Sequence, residues 1–303
     1  NINSIFSESV RDGWLTTGPV VKQFENKLAK YLNAKNVIAV NSCTAALHLA
    51  LAACRFKRGS KFIAPTYTFV STVEVGEYLG LQPILVDCEV GSYNIDLNVV
   101  ETLLKKDKNI VAVVPVHFAG YPLNNKELNK VCSKHNTFLL EDAAHGLETI
   151  SNIGKVGNTK YATAFSFYAN KNITTGGEGG ALATNNDKLA KLIRKLSLHG
   201  MSKDGWNRFQ YNKKWAYDIS ELGFKYNMSD VSASFGLKQL DKISIWLKRR
   251  SKIAKMYIDG LSNIEGIVLP KQPQNGIHAW HLFIIKINEK KWKINRNMII
   301  EKF

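Results

Sequence analysis

The sequence predicts an α/β protein built on a mostly parallel sheet, and three observations carry that expectation. From about Asn36 onward, short β-branched runs alternate with amphipathic stretches. The runs are apolar almost throughout instead of at every second residue, which is the pattern of strands covered on both faces. The chain has 303 residues and is 45% hydrophobic, enough for one large core plus a smaller second unit.

In chain order, the strand-like runs are "VIAV", "KFIAP", "PILVD", "IVAVVPV", "TFLLED" and "TAFSFYANK"; the helical stretches between them include "TAALHLALAAC", "FVSTVEVGEYLG" and "NKELNKVCSKH". From Asn185 the pattern turns helical, with "NNDKLAKLIRKLSLHG" and then one longer stretch from Ser229 to Leu261. Between them lies a polar, aromatic and aperiodic segment from Met201 to Tyr226, long enough to read as functional or interfacial. After Gly260, "IVLP" and "HLFIIKI" read as strands opening a smaller α/β unit. The expected division is a large domain over 1–245 and the start of a small C-terminal domain over 246–303, with both ends of the chain truncated.

Composition excludes several function classes. No stretch approaches the roughly 18 to 20 uncharged apolar residues of a membrane helix. The opening "NINSIFSESVRDGW" lacks a signal-peptide pattern, so the expected location is cytoplasmic. Cys43, Cys54, Cys88 and Cys132 are widely spaced with no C-x-x-C pair, which argues for reduced, mostly buried thiols and against a zinc site. The net charge of +16 is spread over single lysines, with "WLKRR" the one short cluster, and no nucleic-acid module accompanies it. A field attracting a polyanionic small substrate and simple compositional drift are the two readings left for that charge.

In a parallel sheet the ligand sits off the carboxyl ends of the strands, so the residues after each run matter most. "VIAV" runs into Asn41-Ser42 and a helix start at Thr44, where unpaired N–H groups favour a phosphate, although a plain N-cap explains the same residues. "APTYTF" presents Tyr67 and Phe69, either a face for stacking on a planar ring or core. "TFLLEDAAHGLE" delivers Glu141 and Asp142 to a strand end with His145 three residues on, and a buried acid needs a cation or strong donors. "SFYANKNITTGGEGG" places Ser166 and Lys171 at or beyond another strand end, followed by glycines that allow close backbone approach or positive φ. A phosphate-binding helix start, an aromatic face, a buried carboxylate and a lysine are together what pyridoxal 5′-phosphate requires. A nicotinamide cofactor fits less well, because neither "NSCTAA" nor "TTGGEGG" is a G-x-G-x-x-G turn opening a helix.

At these residues the chain resembles the pyridoxal-phosphate-dependent sugar-nucleotide aminotransferases of the DegT/DnrJ/StrS type, of aspartate aminotransferase-like fold type I. The likeness spans "GWLTTGP", "NSCTAALHLAL", "PTYTFVSTVEV", "VVPVHFAGYP", "EDAAHGLE", "FSFYANKNITTGGEGGALAT", "SLHGM", "GFKYNMSDVSASFGLKQL" and "AWHL". The resemblance implies that Lys171 is the Schiff-base lysine, Asp142 the partner of the pyridine nitrogen, His145 a neighbour of the phenolic oxygen and Phe69 the stacking ring. It implies phosphate donors from the Thr44 and Ala45 backbone and the Ser166 hydroxyl, with Asn227 reaching the phosphate of a neighbouring subunit in a homodimer. Asn227, where many relatives carry Arg, resembles the branch that makes UDP-4-amino-4-deoxy-L-arabinose. Trp14, Thr16, His117, Tyr168 and Glu178 are candidates to line the sugar pocket; Glu178 follows one glycine more than the common "TTGEGG" has. Lys171 stands where a dehydratase branch has histidine, so transamination is implied: L-glutamate as donor, 2-oxoglutarate as product, and the 4-keto group of a nucleotide-linked sugar as acceptor, for surface polysaccharide or glycoconjugate. A 3-keto sugar or cyclitol ketone, or a non-catalytic cofactor-binding regulator, are the alternatives.

Overall fold

The computed structural model describes residues 13–89, 91–201 and 218–302. Seven strands form the central sheet: β1 Asn36–Val40, β2 Lys61–Pro65, β3 Gln82–Val86, β4 Ile110–Val113, β5 Phe138–Asp142, β8 Ala162–Ser166 and β9 Gly180–Thr184. Between β5 and β8, β6 (Ile150–Ser151) and β7 (Gly154–Lys155) make a separate antiparallel ribbon. The order across the sheet is β1-β9-β8-β5-β4-β2-β3. All pairs from β8 to β3 are parallel, whereas β9 runs antiparallel to both β8 and β1.

Two helices not expected from the sequence flank this core, α1 (Pro19–Leu32) and α4 (Leu97–Lys106). Both carry start signals: Pro19 opens α1, where its missing N–H costs nothing, and the Asp96 carboxylate caps α4 by accepting from the Asn98 and Val99 N–H groups. The expected helices are present as α2 (Cys43–Cys54), α3 (Ser71–Glu77), α5 (Asn125–Lys134) and α6 (Asp187–Leu196). The long stretch from Ser229 is two helices, not one: α7 (Asp230–Leu240) and α8 (Ile243–Leu261). The position expected for a domain boundary, between 245 and 246, falls inside α8, which carries the chain onward without a break. Of "IVLP" and "HLFIIKI", only Ile267–Val268 (β10) and Lys286–Ile287 (β11) pair, antiparallel and apart from the main sheet.

Strand alternation sorts side chains into two layers and so positions the site. On β8, Ala162 and Ala164 pack with α2 residues Leu47 and Leu51, whereas Phe165 packs with Phe24 and Leu28 of α1 on the other face. Ser166 shares the parity of Ala164. On β5, Leu140 joins the α2 layer and Leu139 joins a cluster with Leu128 and Val131 of α5. Asp142 therefore emerges on the α2 face and Glu141 on the opposite one. Full burial of such side chains contributes roughly 1.5–3 kcal/mol each, which fixes the register of both strands against a one-residue slip. The cysteines are free thiols, but only Cys132 is buried; Cys43, Cys54 and Cys88 are half-buried. Among the described residues, no helix is long and apolar enough to cross a membrane.

Candidate active site

A cleft of about 810 Å³ opens where the strand ends meet the start of α2. Its lining includes Ser42, Cys43 and Thr44 from the helix start, Tyr67 and Phe69 after β2, Asp142 and His145 at the end of β5, and Ser166, Tyr168, Lys171 and Glu178 beyond β8. Four strand ends far apart in sequence thus supply one cavity.

The helix start is held close to β9. A Cβ on Gly180 would lie 2.4 Å from the Ser42 carbonyl carbon and 2.6 Å from the Cys43 nitrogen, so only glycine admits this approach. Ser42 caps the helix through its Oγ, which accepts from the Ala45 N–H at 3.0 Å. The backbone donor implied at Ala45 is therefore already engaged, and Ala45 itself is buried outside the cleft. Cys43 and Thr44, the first two helical residues, have no intrahelical acceptor for their N–H groups and both line the cavity. Phe69 is 75% exposed and Tyr67 49%, so neither is core.

Asp142 is 4% exposed. Its Oδ2 accepts from the Thr72 hydroxyl at 2.7 Å and its Oδ1 from the Ala144 N–H at 3.0 Å. Thr68 and Thr72 hydroxyls lie 2.7 Å apart; because Thr72 donates to the carboxylate, Thr68 donates to Thr72. Burial pushes the Asp142 carboxyl above its ordinary value, opposed by these donors and by the Lys171 charge. Burial likewise lowers the Lys171 amine, opposed by Cys43 and Asp142. The same charges act on Cys43, whose thiol burial holds far above its usual range, so Cys43 is no nucleophile.

His145 accepts the Ala119 N–H on Nδ1 at 3.2 Å, which leaves the ring proton on Nε2. Burial, then the charges of Lys171 and His281, lower it to about 3. His278 and His281 are each lowered to about 4, chiefly by burial. Unfolded, all three rings would take up protons near the ordinary 6.5; folded, they stay neutral well below that. Their contribution to stability is complete above pH 6.5 and is lost as pH falls toward 4. The thermal midpoint should accordingly drop between pH 7 and pH 4.5; a midpoint constant or rising over that interval would contradict the assignment.

Tyr168 and Glu178 are in the cleft, the latter despite the additional glycine: Gly176 and Gly177 take φ of +91° and +126°, and Tyr168 bridges Gly177. His117 is not in it. It is fully buried, with Nδ1 accepting from the Leu123 N–H and Nε2 donating to Glu141 at 2.7 Å, so its ring has no free edge for a substrate. Trp14, Thr16 and Asn227 also lie outside the cleft lining, in a separate group around Thr17: the indole N–H donates to the Thr17 carbonyl, Asn227 donates to the Thr17 hydroxyl at 2.7 Å, and the Thr16 carbonyl accepts from the Asp230 N–H. Of the aromatic loop from Met201 to Tyr226, residues 202–217 lie outside the described residues. Sequence reasoning singled out neither Thr72 nor the cavity residues Thr68, Phe118 and Asn170.

The arrangement offers a neutralisable amine, a buried acid, backbone and hydroxyl donors for a phosphate, and an exposed aromatic ring around one cleft. The residues fit pyridoxal phosphate. Similarity to known proteins points the same way. SpsC, a spore coat polysaccharide biosynthesis protein of Bacillus subtilis, is 42% identical over 294 residues, covering 97% of this chain and 75% of SpsC. Spr1654 of Streptococcus pneumoniae, described as a sugar aminotransferase and solved in a PLP-form, superposes with a TM-score of 0.88 at 27% identity, covering 99% of this chain and 79% of that one. DesV of S. venezuelae superposes with a TM-score of 0.89 at 25% identity, covering 99% and 77%. The model of the DegT/DnrJ/EryC1/StrS aminotransferase family matches residues 1–303. With the strand-end cleft, its lysine and its buried aspartate in place, the chain belongs to the DegT/DnrJ/EryC1/StrS aminotransferase family.

Proposed function

We propose that this aminotransferase moves an amino group from L-glutamate to the C4 keto carbon of a nucleotide-diphosphate-linked sugar, for the amino sugars of a surface polysaccharide or glycoconjugate. The observation that carries the reading is that Lys171, Asp142 and Phe69 line one cleft. Relationship to SpsC supports the polysaccharide context. The cofactor is pyridoxal 5′-phosphate, which when bound supplies an aldehyde for the amine and a ring that accepts electrons from the carbon being deprotonated.

Lys171 holds the cofactor and, once displaced, acts as the base: burial favours its neutral form, so the amine can take the proton from the donor's α-carbon and later return one to the sugar carbon. Asp142 keeps the ring nitrogen protonated, and its Thr72 and Ala144 donors fix the carboxylate for that contact. Thr44 N–H and the Ser166 hydroxyl bind the phosphate, with Cys43 N–H in the place expected of Ala45. Phe69 covers the ring face. His145 presents Nε2–H to the phenolic oxygen, and Tyr168 and Glu178 meet the sugar. Asn227 stands outside this chain's own cleft, as a residue lent to the neighbouring site of a homodimer would.

Mixing the yellow holoprotein with L-glutamate should bleach the visible band and release one 2-oxoglutarate per site. A panel of UDP-, dTDP- and GDP-linked 4-keto and 3-keto sugars should then show which acceptor restores the colour. A band that no amino donor bleaches would overturn the reading.

A further inference from the structure

Lys171 lies in a stretch that is neither helix nor strand, and one backbone hydrogen bond, from its N–H to the Tyr168 carbonyl at 2.9 Å, ties it to the preceding turn. The side chain of Asn172 ties down the residue beyond it. The Asn172 Nδ2 donates to Glu148 Oε2, and the Asn172 Oδ1 lies 3.0 Å from His281 Nδ1. An amide oxygen only accepts, so His281 carries its proton on Nδ1 and is held in one neutral tautomer. Turning the amide over would set its oxygen against the Glu148 carboxylate, so Glu148 enforces the orientation and the amide oxygen in turn selects the His281 tautomer.

Glu148 is 3% exposed and accepts on the same oxygen from Arg250 of α8. Arg250 Nε in turn donates to the Ala279 carbonyl at 3.1 Å, the Ala279 N–H to the Gly120 carbonyl at 2.9 Å, and the His281 N–H to the Ala119 carbonyl at 3.0 Å. Gly120, at φ +89°, leaves no space for a side chain: a Cβ there would lie 2.8 Å from Ala279 Cβ and 2.9 Å from the His145 carbonyl. The His281 ring packs on His145, with centroids 4.4 Å apart, and His145 lines the cleft. A closed polar circuit thus runs from the residue after the lysine through Glu148, Arg250 and the 279–281 segment back to the same amide.

We propose that Asn172 is a positioning residue, whose amide couples the place of Lys171 in the cleft to α8 and to the His281–His145 pair. The inference rests on the reading of Lys171 as the cofactor-binding amine. The fold itself has other anchors nearby: Ile173 is buried, and Thr174 exchanges two hydrogen bonds with Gln239, both 3.0 Å. Loss of the amide should therefore loosen Lys171 without unfolding the strand ends around it. A loosened stretch admits water, and because burial is the leading cause of the depressed amine, the amine then moves back toward the ordinary lysine range. The charged and titratable groups facing it are Cys43, Asp142, His145 and His281.

The test compares wild type, Asn172→Ala and His281→Phe; the last keeps a ring on His145 but offers no N–H to the amide. Three measurements are made: on the cofactor-free proteins, the pH dependence of the rate at which added pyridoxal phosphate develops the visible band; on the holoproteins, kcat and KM for L-glutamate; and the thermal midpoint. In both variants the amine's midpoint in band formation should lie at higher pH than in wild type by about half a unit or more, and kcat should fall roughly tenfold or more, as expected for a reacting group displaced by a fraction of an ångström. KM should change far less. A band-formation midpoint and kcat equal to wild type in both variants would overturn the proposal, as would an activity loss that follows the thermal midpoint alone. If Asn172→Ala does not fold, His281→Phe decides by the same criteria. Failure of the underlying reading is a separate result: a wild-type visible band that persists in Lys171→Ala shows that another amine holds the cofactor.

Discussion

Lys171→Ala protein is expected to fold, to bind pyridoxal phosphate without the visible band of a lysine-bound cofactor, and to lose turnover by three or more orders of magnitude, on the order of what removing a nucleophile or base costs. The reason is that the proposed function gives one amine two duties. It is the only lysine lining the cleft among the described residues, and burial shifts it toward the neutral form that both covalent attachment and proton removal require. No neighbour can replace it: His145, neutral to about 3, is a weak base, and the Cys43 thiol is held protonated by its surroundings. Absorbance, mass and circular dichroism of the variant separate loss of chemistry from loss of fold. Turnover within tenfold of wild type would remove Lys171 from the mechanism.

Asp142→Asn is expected to retain the cofactor while kcat falls by about two to three orders of magnitude, the range for loss of one preorganised electrostatic contact in a dry site. The substitution keeps the size of the side chain and its place between Thr72 and Ala144. It removes the charge that makes protonation of the ring nitrogen favourable. The Thr72 hydroxyl and the Ala144 N–H are both donors, so the Asn oxygen can satisfy only one while its NH2 faces the other; a modest drop in thermal midpoint should accompany the rate loss. An unchanged kcat would mean that a different acid serves the ring, and Glu141 could not be it, since it points to the opposite face with His117 and Asn125.

The strands were legible because a two-face-buried parallel sheet writes itself as uninterrupted apolar runs, and the strand-end residues Asp142, Ser166 and Lys171 could be read from where those runs stop. Glycine at 180 was legible as permission for close approach, although what approaches it was not. The residues that hold the site in shape were not, because their partners are remote in sequence: Thr72 meets Asp142 70 positions away and Asn172 meets His281 109 positions away. Parity explains the misplaced His117. It follows β4, yet Glu141, one residue out of phase with Asp142, draws it to the α5 side. Ala45 was misjudged because a cap and an anion compete for the same N–H, and nothing in "NSCTAA" says which of them has it.

The antiparallel strand has a consequence for how this chain acquires its shape. Among the described residues β1 pairs into the sheet through β9 alone, and β9 is the last of the seven strands to be synthesised. A nascent chain can pair β2 through β8 first, but the N-terminal edge, and with it the helix start that lines the cleft, stays undocked until residue 184 has emerged. That edge of the cleft is thus among the last parts of the sheet to be assembled.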